Sequence, residues 1–248
     1  NSEHEKTCSF FVIGGTGGIG SEVCRRLSRA GHRVAIAGRN LERLNRLSAE
    51  LSAYPVPMDA TDSGSVEEKA KEVEVEFGSL DGIANCVGSI LLKPAHITRD
   101  EEWEEVIRTN LGSAFATVRA AAKTMRKEGG AVVLVSSAAA RIGLPNHEAI
   151  AAAKAGIIGL TLSAAATYAS SGIRFNAVAP GLVRTPLTER ITTRPASEKA
   201  SLSMHALGRL GEPRDIAAAI EWLLQPDQDW ITGQVIGIDG GLGSIRLR

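Results

Sequence analysis

Gly14, Gly18 and Gly20 stand where an apolar run, Phe10-Phe11-Val12-Ile13, gives way to the helical pattern Ser21-Glu22-Val23-Cys24-Arg25-Arg26-Leu27. A strand, a glycine turn and a helix N-terminus in that order form a seat for a pyrophosphate. Glycines let the backbone turn tightly and let phosphate oxygens approach the N–H groups, while the helix dipole adds partial positive charge. Thr16, Gly17 and Ile19 lie in the same turn and are candidate contacts with it. In a dinucleotide fold the residue about twenty beyond the last glycine meets the adenosine ribose, a carboxylate for NAD and an arginine for the 2′-phosphate of NADP. Here that residue is Arg39, followed by Asn40, with no carboxylate to repel a phosphate. The expected cofactor is NADP(H).

Alternating strands and helices must position these residues. Residues 34–37 read as a second strand and residues 41–51 as an amphipathic helix with leucines at 41, 44, 47 and 51. Residues 54–58 lead to Asp59, Ala60 and Asp62 at the end of a third strand, with Asp62 as N-cap of a helix from Ser65. A fourth strand lies within residues 80–88, and helices follow from about 101 to 127, interrupted at Asn110, a residue costly inside a helix. Residues 131–135 are fully apolar, as in a buried parallel strand, and deliver Ser136 and Ser137 at the end where such sheets bind ligands. Asn146 reads as the N-cap of a helix reaching about residue 170. A sixth strand spans 173–179, a helix opens at Pro213, and a seventh strand closes the sheet within 231–241. Residues 187–206 are polar and suggest a mobile lid over a substrate.

The spacing Gly14-x-x-x-Gly18-x-Gly20 is one residue longer between the first two glycines than the usual dinucleotide fingerprint. It resembles the short-chain dehydrogenase/reductase family. Asn85-Cys86-Val87-Gly88 resembles the family's Asn-Asn-Ala-Gly segment, and Pro180-Gly181-Leu182-Val183-Arg184-Thr185 its Pro-Gly…Thr segment. With residues 210–217 and 231–241, the resemblance spans residues 9–243. It implies a single-domain Rossmann-type doubly wound α/β fold, with about seven parallel strands flanked by helices on both faces. Residues 1–8 are expected to be a disordered or processed terminus, and 9–248 one catalytic domain. The resemblance places Asp59 on the adenine beside Ala60, and Asn85 and Gly88 at the strand end near the cofactor. It places Pro180, Gly181, Val183 and Thr185 along the nicotinamide and its phosphate. It implies that Asn110 kinks its helix and that its main chain holds a water near the active-site lysine.

The family's reaction centre is a serine, a tyrosine thirteen residues on, and a lysine four further. Ser137 and Lys154 keep these places, inside a matching Ala152-Ala153-Lys154-Ala155-Gly156, but the tyrosine position holds Ile150. In the family that tyrosine gives a proton to the carbonyl oxygen as hydride arrives, and a positioned general acid contributes roughly 10²–10⁴-fold. Isoleucine has no proton to give. Lys154 also bonds the nicotinamide ribose in the family, so a protein that only held cofactor would keep it too. His147 lies on the same side of the helix as Lys154, but about 10 Å from it along the axis. In the first turn the dipole would keep its ring neutral, a poor donor that can still orient a water. Ser137 with a lysine-bound water is another route.

Twenty-eight basic and 28 acidic residues balance, which removes the electrostatic case for nucleic acid or an anionic membrane. No apolar run approaches a membrane span of about 20 residues. Cys8, Cys24 and Cys86 lack disulfide or zinc spacing and read as buried free thiols of a reducing compartment. The expectation is a cytoplasmic protein without a metal, although a removed organelle-targeting peptide would leave no trace. With 248 residues, 44% of them hydrophobic, the chain can bury roughly 70–75% of its unfolded surface. The resemblance implies a homodimer or homotetramer through the long helix, where Ala151, Ala152, Ala155, Gly156 and Gly159 allow close approach. The leading reading is hydride transfer to a small carbonyl, alcohol or conjugated enone with a proton donor other than tyrosine. A catalytically silent NADP(H)-binding protein, a sensor or partner subunit, is the rival, and a scaffold without nucleotide is the third. Ile90-Leu91-Leu92 and Ile142-Gly143-Leu144 suggest a modest, fairly apolar substrate.

Overall fold

The computed structural model describes residues 7–245. Its parallel sheet runs β3-β2-β1-β4-β5-β6-β7. The strands are β1 (Ser9–Ile13), β2 (Arg33–Gly38), β3 (Tyr54–Pro57), β4 (Gly82–Asn85), β5 (Gly130–Val135), β6 (Ile173–Pro180) and β7 (Val235–Ile238). Between them come α1 (Gly18–Arg29), α2 (Leu41–Leu51), α3 (Ser63–Phe77), α4 (Asp100–Ile107), α5 (Ser113–Thr124) and α6 (Glu148–Tyr168), then α7 (Glu189–Thr192), α8 (Pro195–Met204) and α9 (Pro213–Leu224). This is the doubly wound α/β fold expected from the alternation of apolar strands and amphipathic helices.

Every residue of β1 and β6 is buried, because helices cover both faces of the sheet. Val66, Ala70 and Val73 of α3, Ala121 of α5 and Ile157 of α6 pack on one face with Phe11 and Phe175. Val23 and Leu27 of α1, Leu44 of α2 and Ile220 of α9 pack on the other with Phe10 and Val12. Strand order reverses between β1 and β4, which pair Ile13 with Asn85 at their C-terminal ends. The crevice outside such a reversal is where open α/β sheets take ligands.

Several local expectations change. Cys8 is buried and donates its amide to His32 Nδ1 at 3.3 Å, so it belongs to the domain and not to the terminal segment; residues 1–6 lie outside the described residues. Asn146 is not the N-cap of α6. It adopts a left-handed conformation at φ 63°, its carbonyl accepts from the Lys93 amide, and His147 occupies the cap position. Gly156 faces inward, where an added Cβ would lie 2.8 Å from Leu111 Cδ2, so it belongs to the packing of α6 and not to an outer surface. Ala152, Ala155, Gly159 and Leu162 are exposed along the other side of that helix. An 18-residue window within residues 148–171 has a mean hydropathy of 1.6, so by length and composition this one helix among the described residues is long and apolar enough to cross a membrane. The sequence expectation missed it, because Lys154 and scattered polar residues interrupt the run. In the structure the helix packs against β6, and its other face carries three small residues and the exposed Leu162.

The connection between β1 and α1 leaves no space for side chains. A Cβ on Gly20 would collide with the Gly14 carbonyl and sit 2.9 Å from Gly15 Cα, whereas one on Gly143 would meet nothing within 4 Å. Gly20→Ala is expected to lose about 1–3 kcal/mol by overpacking, and Gly143→Ala to leave stability unchanged. Equal thermal midpoints for the two variants would contradict this packing.

Candidate active site

The glycine turn is built by main-chain contacts. Gly14 has φ 74°, a conformation that glycine adopts without steric cost. Its carbonyl accepts the Gly17 amide at 3.0 Å, and the Gly15 amide reaches across to Ala37 O at 2.9 Å. No side chain caps α1 and its first turn carries no carboxylate. Its amide donors therefore face outward for an external anion. Thr185 arrives from the far side of the molecule and lies against Gly18, where an added Cβ would be 2.8 Å from Thr185 Cβ. Thr188 holds that segment in place, accepting the Thr185 amide at 3.0 Å and donating to Val183 O.

Beside the turn is a cleft of about 190 Å³ that brings together Gly14, Thr16, Gly17, Arg39, Asp59, Ala60 and Gly88. The Arg39 side chain is 74% exposed, and its Nη1 lies 4.0 Å from Asp59 Oδ2. Asp59 is held from below by its own turn, its Oδ1 accepting both the amide and the hydroxyl of Thr61 at 2.9 Å. The Thr61 amide, helped by that hydroxyl and by the Arg39 and Arg108 cations, keeps the Asp59 carboxyl below the usual range. Ile19 is half-buried and packs on the apolar core beneath the turn.

Two of the expected contacts are spent inside the protein. Asn85 is 2% exposed; its Nδ2 donates to Ser113 Oγ at 3.3 Å and Thr117 Oγ1 at 3.0 Å, and its Oδ1 accepts the Val87 amide. Its side chain anchors the β4 turn to α5, so it shapes the cleft from behind. Val183 is also buried, its side chain in the core, and only its main chain faces the segment's neighbours. Pro180 ends β6 and Gly181 follows it, its amide bonded to Ile238 O at 3.2 Å.

Around the end of β5 lie the residues expected at the reaction centre. Lys154 is buried, and its Nζ donates to Val135 O at 2.8 Å. Burial brings its ammonium down to about 8, with Cys86 acting in the opposite direction. Burial likewise pushes the Cys86 thiol up to about 12. Ser137 is half-buried, and its Oγ accepts the Ala139 amide at 3.1 Å, which leaves the hydroxyl hydrogen to donate elsewhere. Ser136, its neighbour, is fully engaged as a brace, donating to Lys154 O at 2.8 Å. Asn110 sits in a π turn, Arg108–Gly112, that breaks the α4–α5 path. Its Nδ2 donates to Val106 O and Ser89 Oγ, both at 2.9 Å, and its Oδ1 accepts the Ser89 amide at 3.2 Å. Ser89 and the pair Ser113 and Thr117 escape a sequence reading, although the latter two share a helix face at i, i+4 spacing, the one signal available.

Ile150 is 5% exposed and packs with Val106, Ala149 and Ala153, beside Leu91 and Ile107. The position at which the sequence reading looked for a tyrosine is therefore part of an apolar cluster. His147 lies at the N-cap and not in the first turn, and its Nδ1 lies 2.7 Å from Pro145 O. A carbonyl only accepts, so Nδ1 carries a proton and the ring is directed to its own loop.

Residues 14–243 match the family described as Enoyl-(Acyl carrier protein) reductase. The chain belongs to the short-chain dehydrogenase/reductase family, oxidoreductases of small carbonyl and alcohol compounds. Over 245 residues it is 34% identical to the 3-oxoacyl-[acyl-carrier-protein] reductase FabG of Thermotoga maritima, covering 96% of this chain and 97% of that one. A short-chain type dehydrogenase/reductase from Mycobacterium ulcerans has a TM-score of 0.92 at 30% identity, covering 98% of this chain and 92% of the other. ElxO with NADP bound gives 0.89 at 32% identity, covering 97% and 100%.

Lys154 gives the site a signature in stability. Its folded-state value is about 8 against an ordinary 10.5, so between these values the unfolded chain holds more protons. Stability contributed by this group therefore rises with pH across that window, and below 8 the whole cost of burying the ammonium, about 3 kcal/mol, remains. Cys24, buried as expected, and Cys86, half-buried where the sequence reading expected a buried thiol, act oppositely at alkaline pH. The test is the difference between the wild type and Lys154→Met in urea midpoint from pH 7.5 to 10.5. It is expected to shrink as pH rises, and a constant difference would refute the buried charge.

Proposed function

We propose that this protein is an NADP(H)-dependent oxidoreductase that moves hydride between cofactor and a small carbonyl, alcohol or conjugated enone, with a proton donor other than tyrosine. What supports the reading is the convergence of the glycine seat, Arg39 and Lys154 on the C-terminal ends of β1, β2 and β5. The donor set suits the cofactor. Open amides at α1 fit a pyrophosphate, and the exposed guanidinium of Arg39 fits a 2′-phosphate, which it can grip with two parallel hydrogen bonds. When bound, the nicotinamide supplies or accepts the hydride. Lys154 offers the two ammonium hydrogens not given to Val135 to the ribose side of the site, and the Ser137 hydroxyl donates to a substrate oxygen. Thr185, held over Gly18, covers the phosphate seat. Ile150, Leu91 and Ile107 exclude water from the substrate side. Residues 187–206, which contain α7 and α8, serve as the substrate lid. NADP in ElxO, at 32% identity over nearly the whole chain, supports the same cofactor.

A second reading is favoured by one observation, the burial of Ile150 among apolar side chains. A protein that binds NADP(H) without turning over substrate would keep the glycine seat, Arg39 and Lys154 and have no need of an acid at position 150.

Cofactor choice is checked by fluorescence titration. NADPH is expected to bind at least about tenfold tighter than NADH, a difference of about 1.4 kcal/mol, and Arg39→Asp to remove that preference. Equal affinities in the wild type would refute the assignment of Arg39. Reaction chemistry is checked with Ile150→Tyr, which restores an acid one helical turn from Lys154. Turnover of activated ketones with NADPH is expected to rise by up to about 10²–10⁴. The larger ring in a packed cluster is expected to lower stability by about 1–3 kcal/mol, so cofactor binding and melting are measured first. A folded, NADPH-binding variant with no gain, from a parent active on other substrates, would show a site rebuilt around a different donor. Inactivity of both proteins across carbonyl and enone panels would favour the silent binder.

A further inference from the structure

His205 closes α8 and is 3% exposed, with one ring partner on each side. Nδ1 lies 2.7 Å from Ser201 O within the helix, and Nε2 lies 3.2 Å from Leu182 N in the segment that leaves β6. A carbonyl oxygen only accepts and an amide N–H only donates. The proton is therefore on Nδ1 and the lone pair on Nε2, which defines a neutral ring in one tautomer. Two glycines pack against the ring. A Cβ on Gly181 would lie 2.6 Å from Nε2, and one on Gly240 would lie 3.5 Å from the ring's Cδ2. Leu182 is followed by Val183, bridged to Gly211, and by Thr185, which lies over the glycine turn. One buried imidazole thus joins α8 to the main chain that runs past the phosphate seat.

We propose that His205 is a positioning residue whose neutral imidazole latches α8 onto residues 181–185 and holds that main chain for the nicotinamide half of the cofactor. The inference rests on the reading of residues 180–185 as cofactor contacts. Arg184 pairs with Glu198, a second tie between the same two elements.

Two variants separate the latch from simple packing. His205→Gln keeps an amide that can donate to Ser201 O and accept from the Leu182 N–H, and His205→Leu removes both bonds. Hydrogen exchange of the Leu182 amide and of α8, and the NADPH dissociation constant, are measured for the wild type and both variants. His205→Leu is expected to lose Leu182 protection and about five- to tenfold in NADPH affinity, and His205→Gln to keep both. An unprotected Leu182 amide in the wild type would overturn the latch, whether or not His205→Leu folds. Loss of Leu182 protection with no change in NADPH affinity would overturn its role in holding cofactor. Absence of NADPH binding by the wild type would instead overturn the cofactor reading and this positioning role with it.

Discussion

The close approach of α1 to the end of β1 is the constraint on which the rest of the structure depends. The Gly14 carbonyl takes the Gly17 amide while Gly20 packs against it with no room for a Cβ. That contact aims the first turn of α1 into the crevice between β1 and β4. It also sets the floor on which Thr185 rests. Phosphate affinity, the position of Thr185 and the packing of Val23 and Leu27 on the sheet are therefore one geometric event. A side chain added here disturbs all three together, and a change elsewhere in the core disturbs only its own cluster.

Lys154 is a cost that this fold carries. A buried ammonium bonded to one carbonyl is costly, and a hydrophobic residue of similar length would relieve the cost. The protein retains the charge at the end of β5, bonded to Val135 O. Ile150 has no such cost. It belongs to the apolar packing between α4 and α6.

Much of this was legible in the sequence, for identifiable reasons. The seat was readable because a strand, glycines and a helix must follow one another in the chain, and Arg39 because a strand of fixed length carries it to a known place. The apolar run before Ser136 showed which end of β5 faces ligand. What could not be read is contact between distant segments. Asn85 looked like a cleft residue, yet its amide is spent on Ser113 and Thr117, which lie 28 and 32 residues further on. Ser136 and Ser137 are indistinguishable by type and adjacent by number, yet alternation along the strand turns one to α6 and leaves the other half-open. Asn146 has the composition of an N-cap, but the bond from Lys93 pulls it into a left-handed turn and passes the cap to His147.

The π turn at Asn110 has a consequence for helix phase. Each residue of an α-helix advances the side-chain direction by about 100°, and a π turn accommodates one residue more than an α turn. The faces of α4 and α5 are therefore offset as though a residue had been inserted between them. Removing one residue from 108–112 would let a continuous helix form and swing α4 by about 100° while α5 kept its grip on the sheet. Val106 would then leave Ile150, and a different strip of α4 would face the site. α5 and α4 are thus uncoupled in phase, and the loss of a single codon can re-face one while the other keeps its place on the sheet.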